Sequence, residues 1–174
     1  DLYYDLYCNI NNELNMKIEV ISNLLKTYNI EAYPIKATVE DSELDDTYKK
    51  TLRYSFSHKL VATRSGIGWI GKTDLLVTSR FGPRVRLASI LMTANISDSG
   101  VPINESQCGS CNICVNNCSA KTATGQLWTT SIDRDVFFDP FKCREYCRQI
   151  SAERIKKEIS LCGICISVCP KGKK

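Results

Sequence analysis

Cys108-Gly109-Ser110-Cys111-Asn112-Ile113-Cys114-Val115-Asn116-Asn117-Cys118 is the stretch on which the reading of this chain turns. Two-residue gaps between the first three cysteines let one tight loop aim successive thiolates at the corners of a single cubane. The three-residue gap before Cys118 begins a helical turn and points that last thiolate elsewhere. A second motif, Cys162-x-x-Cys165-x-x-x-Cys169-Pro170, follows downstream and is one cysteine short of the full run.

The first motif has the spacing of bacterial [4Fe–4S] proteins, in which the fourth cysteine of a two-cluster chain ligates the other cluster. Ser119 takes the place of the proline that usually follows. Crossing the last cysteine of each motif predicts a first cluster on Cys108, Cys111, Cys114 and Cys169. The second then takes Cys118, Cys162, Cys165 and either Cys143 or Cys147. Structural zinc is the rival, because zinc sites built from four cysteines also use Cys-x-x-Cys pairs. Zinc ribbons, however, use pairs, not a four-cysteine run followed by a motif closed with Cys-Pro. Nine of the ten cysteines lie between Cys108 and Cys169. Such density in a small domain otherwise suggests a disulfide framework, but units this regular indicate metal ligation. Clusters of this kind carry single electrons.

The rest of the composition is ordinary. The chain has 174 residues, 43% of them hydrophobic and 24% charged, which fits a folded domain or two and not a disordered tract. No apolar run reaches the roughly 18 residues of a membrane span, so no membrane association and a cytoplasmic location are expected. The chain starts at Asp1 instead of Met, so a missing N-terminal stretch is expected. The formal charge of +4 is cancelled by eight ligating thiolates and two oxidised cores of about +2 each. The basic excess is therefore poor evidence for nucleic acid, and Lys171, Lys173 and Lys174 read as a solvated tail.

Composition changes along the chain. Residues 1–100 hold one cysteine and read as α/β; residues 101–174 hold nine. Ile96 to Gln107 is polar, with Gly and Pro, and reads as the junction. Leu14, Ile18, Ile21 and Leu25 recur at helical steps and predict a helix over Asn12 to Tyr28, stopped by Asn29. Ile30 to Lys36 reads as a strand, at a sheet edge because of Pro34. Ser57 begins a predicted helix through about Ser65. Asp74 to Ser79 and Arg84 to Thr93 flank the turn Phe81-Gly82-Pro83 and read as a β-hairpin. Asp133 to Ile159 reads as two helices.

Gly66-Ile67-Gly68-Trp69-Ile70-Gly71-Lys72 matches G-x-G-x-x-G, but a helix precedes it and a strand follows, the reverse of a dinucleotide fingerprint. Nor is its glycine spacing that of a phosphate-binding P-loop. Glycine at 66, 68 and 71 lets a backbone approach something closely: a flat macrocycle, or a neighbouring element. Trp69 stacks on a cofactor or packs in the core. Lys72, Arg84 and Arg86 could meet an anion, or lie on a solvated face. His58, the single histidine, is a weak candidate proton donor set against a hydrogen-bonded structural role. Cys8 reads as a plain buried thiol.

Ala62 to Lys72 resembles the glycine loop of epoxyqueuosine reductases. Phe81-Gly82-Pro83-Arg84-Val85-Arg86-Leu87 resembles a segment of those enzymes and of the cobamide-dependent reductive dehalogenases. The cysteine order, four, then one after Asp139, then three before Pro170, is similar too. The likeness runs from about Ser55 to Lys171 and extends to the double-cluster relatives of these enzymes, which share Ser57-His58-Lys59 and the Asp139 to Cys147 stretch. It implies an α+β architecture: a partial nitroreductase-like α/β domain over residues 1–100 and a ferredoxin-like double-cluster domain over 101–174. It also implies Cys143 as the fourth ligand of the second cluster, with Cys147 and Cys8 spare. The family's aspartate falls at Leu52, and this chain stops five residues after Cys169 where epoxyqueuosine reductases continue into a tRNA-binding repeat domain.

The expectation drawn from this resemblance is an oxidoreductase of unassigned substrate. It would be a cobamide-dependent reductase core in which two clusters pass single electrons to a corrinoid such as cobalamin. Gly66, Gly68, Trp69, Gly71, Lys72, Arg84 and Arg86 would border the corrinoid. The alternative is a non-enzymatic ferredoxin-type electron carrier. The expected partners are a low-potential donor, such as a ferredoxin or flavodoxin, and a small-molecule substrate; nucleic acid is not expected.

Overall fold

The computed structural model describes residues 1–39, 41–97 and 100–173. In chain order its elements are α1 (Leu2–Thr27), β1 (Ala32–Ile35), a 3-10 turn (Asp41–Glu43), α2 (Asp46–Thr51), α3 (His58–Arg64), β2 (Gly68–Ile70), β3 (Leu76–Thr78), β4 (Ser89–Met92), α4 (Ile113–Asn116), α5 (Arg134–Phe137), α6 (Pro140–Ile155) and α7 (Ile164–Val168). Helices thus mix with two small antiparallel sheets, β1–β4 and β2–β3. The chain gathers into two compact units, Asp1–His58 with Arg86–Ser99, and Lys59–Val85 with Gly100–Lys174. This corrects the division at residue 100: residues 59–85 fold with the cysteine-rich half. Asp98 and Ser99 in the expected junction, and Lys174 in the expected tail, lie outside the described residues.

In the first unit, α1 begins ten residues before its predicted start. The Asp1 carboxylate caps it, accepting from the amides of Tyr3 and Tyr4. The early turns escaped the periodicity because the buried face there carries Asn11, while Leu2 and Leu6 point outward. Asn11 is satisfied: its Oδ1 accepts from Arg86 Nε at 2.9 Å. Asn29 stops the helix with φ of 60°, and the Ile30 amide closes back on the Leu25 carbonyl at 3.1 Å. In the β1–β4 ladder, Ala32 faces Met92 and Pro34 faces Ile90. Each strand of a two-stranded sheet is an edge, so the missing amide of Pro34 is tolerated.

The single histidine is built into this unit. Its Nδ1 lies 2.8 Å from Ser89 Oγ and its Nε2 lies 2.9 Å from the Lys36 carbonyl. A carbonyl only accepts, so Nε2 carries the proton and Nδ1 accepts from Ser89. Phe56 meets the ring edge-on at 5.1 Å. Burial holds the imidazole pKa below its usual 6.5; the Lys36 carbonyl opposes this and Arg86 adds to it.

In the second unit, β2 and β3 form a tight hairpin in which Trp69 faces Val77 and Gly68 faces Thr78. This corrects the expected pairing of 74–79 with 84–93: β4 pairs with β1 instead. The Phe81-Gly82-Pro83 turn is real but closes on Thr78, which exchanges two backbone hydrogen bonds of 2.9 Å with Gly82. All three residues of each hairpin strand are buried. Trp69, Ile70, Leu76, Val77, Trp128, Phe137 and Phe138 make this unit's core. Downstream, α5 and α6 fall within the two-helix expectation and are capped by Asp133 and Asp139, with Pro140 in the first turn of α6. Among the described residues no helix is long and apolar enough to cross a membrane.

Two expected outcomes follow from this packing. A Cβ at residue 68 would run into the Val77 carbonyl across the hairpin, so Gly68→Ala should cost roughly 1–3 kcal/mol in denaturant unfolding. The lowered His58 pKa means that the unfolded chain takes up a proton first as pH falls. Its contribution to stability should be complete above pH 6.5 and fade as pH drops from there through the lower folded value. Comparing the unfolding midpoints of wild type and His58→Gln across that window measures it; equal slopes would refute it.

Candidate metal centre

The cysteines sit on loops and very short helices. In the first motif the Cys111 amide turns back onto the Cys108 carbonyl at 3.2 Å, and α4 then carries Cys114. In the second, Gly163 opens α7 with φ of 86°, α7 carries Cys165, and Cys169 follows at its end. Helices α4 and α7 pack together. Cys143 and Cys147 ride one turn apart on α6.

Two groups of thiols result. Cys108 and Cys169 both act electrostatically on Cys114, and α4, which carries Cys114, packs on α7, which leads into Cys169. The other group is Cys143, Cys147, Cys162 and Cys165. Cys143 and Cys147 sulfurs are 3.9 Å apart, Cys162 acts electrostatically on Cys147, and Cys165 feels both Cys143 and Cys162. Cys118 Sγ faces Thr122 Oγ1 at 3.3 Å. Cys8 is on α1 in the first unit, half-buried and in no disulfide.

The thiols differ in acidity. The hydrogen bond with Cys143, then the one with Cys162, then burial, make Cys147 hold its proton. The Cys147 bond pulls Cys162 down to about 6, with help from the Ile164 amide and the Arg154 charge, against burial. The same bond lowers Cys143. Burial pushes Cys165 up to about 11 and raises Cys114. Among the described residues, no group of three or more His, Cys, Asp or Glu closes around a single metal ion.

The glycine loop forms the wall beside these thiols. Trp69 is both core and contact: 3% exposed, it donates from Nε1 to Cys108 Sγ at 3.4 Å. A Cβ on Gly71 would lie 3.7 Å from the same sulfur. Lys72, also 3% exposed, donates to Asn112 Oδ1 at 2.8 Å, inside the first motif. The buried Thr73 hydroxyl lowers the pKa of both Cys114 and Cys165, one thiol from each group, against their burial. Arg84 reaches the carbonyls of Cys169 and Lys171, each at 2.7 Å. Thr73 and Asn112 were missed from sequence; their only signal was to adjoin motifs already singled out.

Other expected site residues are engaged elsewhere. Gly66, with φ of 70°, ends α3 and lies under the Val101 carbonyl, 2.6 Å from where its Cβ would be. Gly68 and Gly66 thus make room for this chain's own backbone, not for a flat macrocycle. Arg86 belongs to the first unit, where it holds Asn11 and the Ala37 carbonyl and lies 4.5 Å over the Tyr7 ring. His58 has both nitrogens occupied, as described above.

No protein-family profile matches the chain. Curated relatives do: epoxyqueuosine reductases of Bacillus anthracis, 31% identical over 86% of this chain and 36% of theirs, and of Listeria monocytogenes, 31% identical over 84% and 35%. A crystal structure of epoxyqueuosine reductase with an epoxyqueuosine-modified tRNA stem loop superposes on 94% of this chain and 39% of its own, with TM-score 0.61 and 23% identity. The Streptococcus thermophilus epoxyqueuosine reductase covers all of this chain at TM-score 0.57 and 21% identity. The chain spans a little over a third of the relatives it matches. Two expectations are corrected. A cobamide-dependent reductase core, or a carrier without catalysis, gives way to homology with epoxyqueuosine reductases. The exclusion of nucleic acid gives way because a structural neighbour is bound to tRNA; cancelling the net charge explained the basic excess but never bore on a local RNA contact. Over most of its length, this chain is a homologue of the epoxyqueuosine reductases.

Proposed function

We propose that this chain is the iron–sulfur part of an oxidoreductase of the epoxyqueuosine reductase type, working in the cytoplasm on a modified nucleoside of tRNA. The observation that supports the reading is the packing of α4, which carries Cys114, on α7, which leads into Cys169, with Trp69 donating to Cys108. A crossed ligand of this kind is what a ferredoxin-like pair of cubanes requires. Cys108, Cys111, Cys114 and Cys169 hold the first cluster; Cys118, Cys143, Cys162 and Cys165 hold the second. The clusters supply single electrons at low potential, taken from a donor such as a ferredoxin or flavodoxin.

This chain's own groups set the conditions of that transfer. Trp69 offers a hydrogen bond to the sulfur of Cys108, which raises a cluster's potential. Lys72 places a buried ammonium beside the first motif. Arg84 fixes the backbone on both sides of Pro170, and so the Cys169 position. The relatives' name and the tRNA-bound neighbour support the nucleoside as substrate class.

Anaerobically reconstituted protein should carry about eight iron and eight sulfide per chain; two zinc ions and no sulfide would end the proposal. Cys169→Ala should disturb the cluster of the first motif, distant in sequence, and lower the unfolding midpoint because ligation here is folding free energy. Damage confined to the cluster of Cys162 and Cys165 would count against the crossing. In the RNA arm, the dithionite-reduced protein should bind an epoxyqueuosine-containing tRNA stem loop more tightly than the unmodified stem loop. Equal affinity for both would remove the nucleoside from the proposal.

A further inference from the structure

We propose that one corner of the second cluster has two interchangeable ligands, Cys143 and Cys147. The inference rests on the two-cluster reading and adds a fifth thiol to it. Residues four apart on a helix share a face, and on α6 their sulfurs come within 3.9 Å of each other. Cys147 therefore touches a thiol assigned to the cluster, and Cys162, also assigned to it, acts electrostatically on Cys147. It is not a surface thiol, being 6% exposed. A buried cysteine that merely packs behaves as a small apolar side chain; this one faces another sulfur.

The helix makes exchange simple. Asp139 and Pro140 fix the start of α6. Towards its end, Ser151 Oγ bonds to both the amide and the carbonyl of Ile159, at 3.0 and 2.6 Å. Cys143 and Cys147 thus sit on one rigid body, and a change of side-chain rotamer decides which sulfur reaches the corner. The incoming thiol loses its proton to the outgoing thiolate, one iron–sulfur bond forms as one breaks, and no electron is transferred. In either arrangement the unligated thiol donates an S–H bond to the ligating sulfur.

The test uses wild type, Cys143→Ala, Cys147→Ala and the double variant, each reconstituted anaerobically. Iron and sulfide are counted, and the dithionite-reduced proteins are examined by electron paramagnetic resonance. Each single variant should keep about eight iron per chain, and the double variant should lose iron from the second cluster alone. A Cys143→Ala protein as depleted as the double variant would overturn the shared corner. If circular dichroism finds Cys143→Ala unfolded, Cys147→Ala decides: losing the S–H donor should move the second cluster to a more negative potential at unchanged iron content. An unchanged potential would overturn the inference in that case. Wild type lacking sulfide would overturn the two-cluster reading and this inference with it, whereas wild type with about eight iron isolates the fate of the corner.

Discussion

The β2–β3 hairpin is the support on which the cysteine-rich unit depends. The helices carrying Cys114 and Cys165, α4 and α7, have four and five residues, far below the length at which a helix holds itself together in water. Their thiols are positioned from outside. Trp69, Gly71 and Thr73 press on them from the hairpin, and Arg84 grips the backbone around Cys169. The tight pairing of Gly68 with Thr78 across that hairpin leaves no room for a side chain at 68. Loss of that approach would shift the indole that donates to Cys108.

Charge gives the same hairpin a second importance. A buried ammonium is costly unless opposite charge or hydrogen bonds compensate it. Lys72 has the neutral Asn112 amide, inside the first motif, as its acceptor. Ligation would thus supply the countercharge the lysine needs, and the lysine would temper the accumulated negative charge of thiolates and sulfides. Support and electrostatics arrive together from one stretch, Gly71 to Thr73.

Much of this was legible from local pattern. Asn29 marked the end of α1, Pro34 marked an edge, and 57–65 contained α3. Partner choice was not legible. Two apolar runs around Phe81-Gly82-Pro83 read as a hairpin because proximity in sequence was the available guide, yet each found a different mate, β2 for one and β1 for the other. Asn11 broke the apolar stripe of α1 because a distant arginine satisfies it. The same limit hid Thr73 and separated Arg84 from Arg86: alternation along a strand says which side a residue takes, not which unit it joins. Sequence spacing left Cys143 and Cys147 as alternatives, and the turn of α6 put them side by side.

Both units are assembled from discontinuous stretches of chain, the first closing only when 86–97 joins 1–58, the second only when 100–173 joins 59–85. On a ribosome the chain emerges from its N-terminus at a limited pace, and domains generally fold as units. The hairpin therefore appears well before the thiols it supports, and Cys169 emerges after Cys108, Cys111 and Cys114. Until then Cys108, Cys111 and Cys114 are exposed without the fourth ligand proposed for their cluster. On that proposed reading metal loading follows the emergence of Cys169, and the interval before it is when the nascent thiols are most open to oxidation.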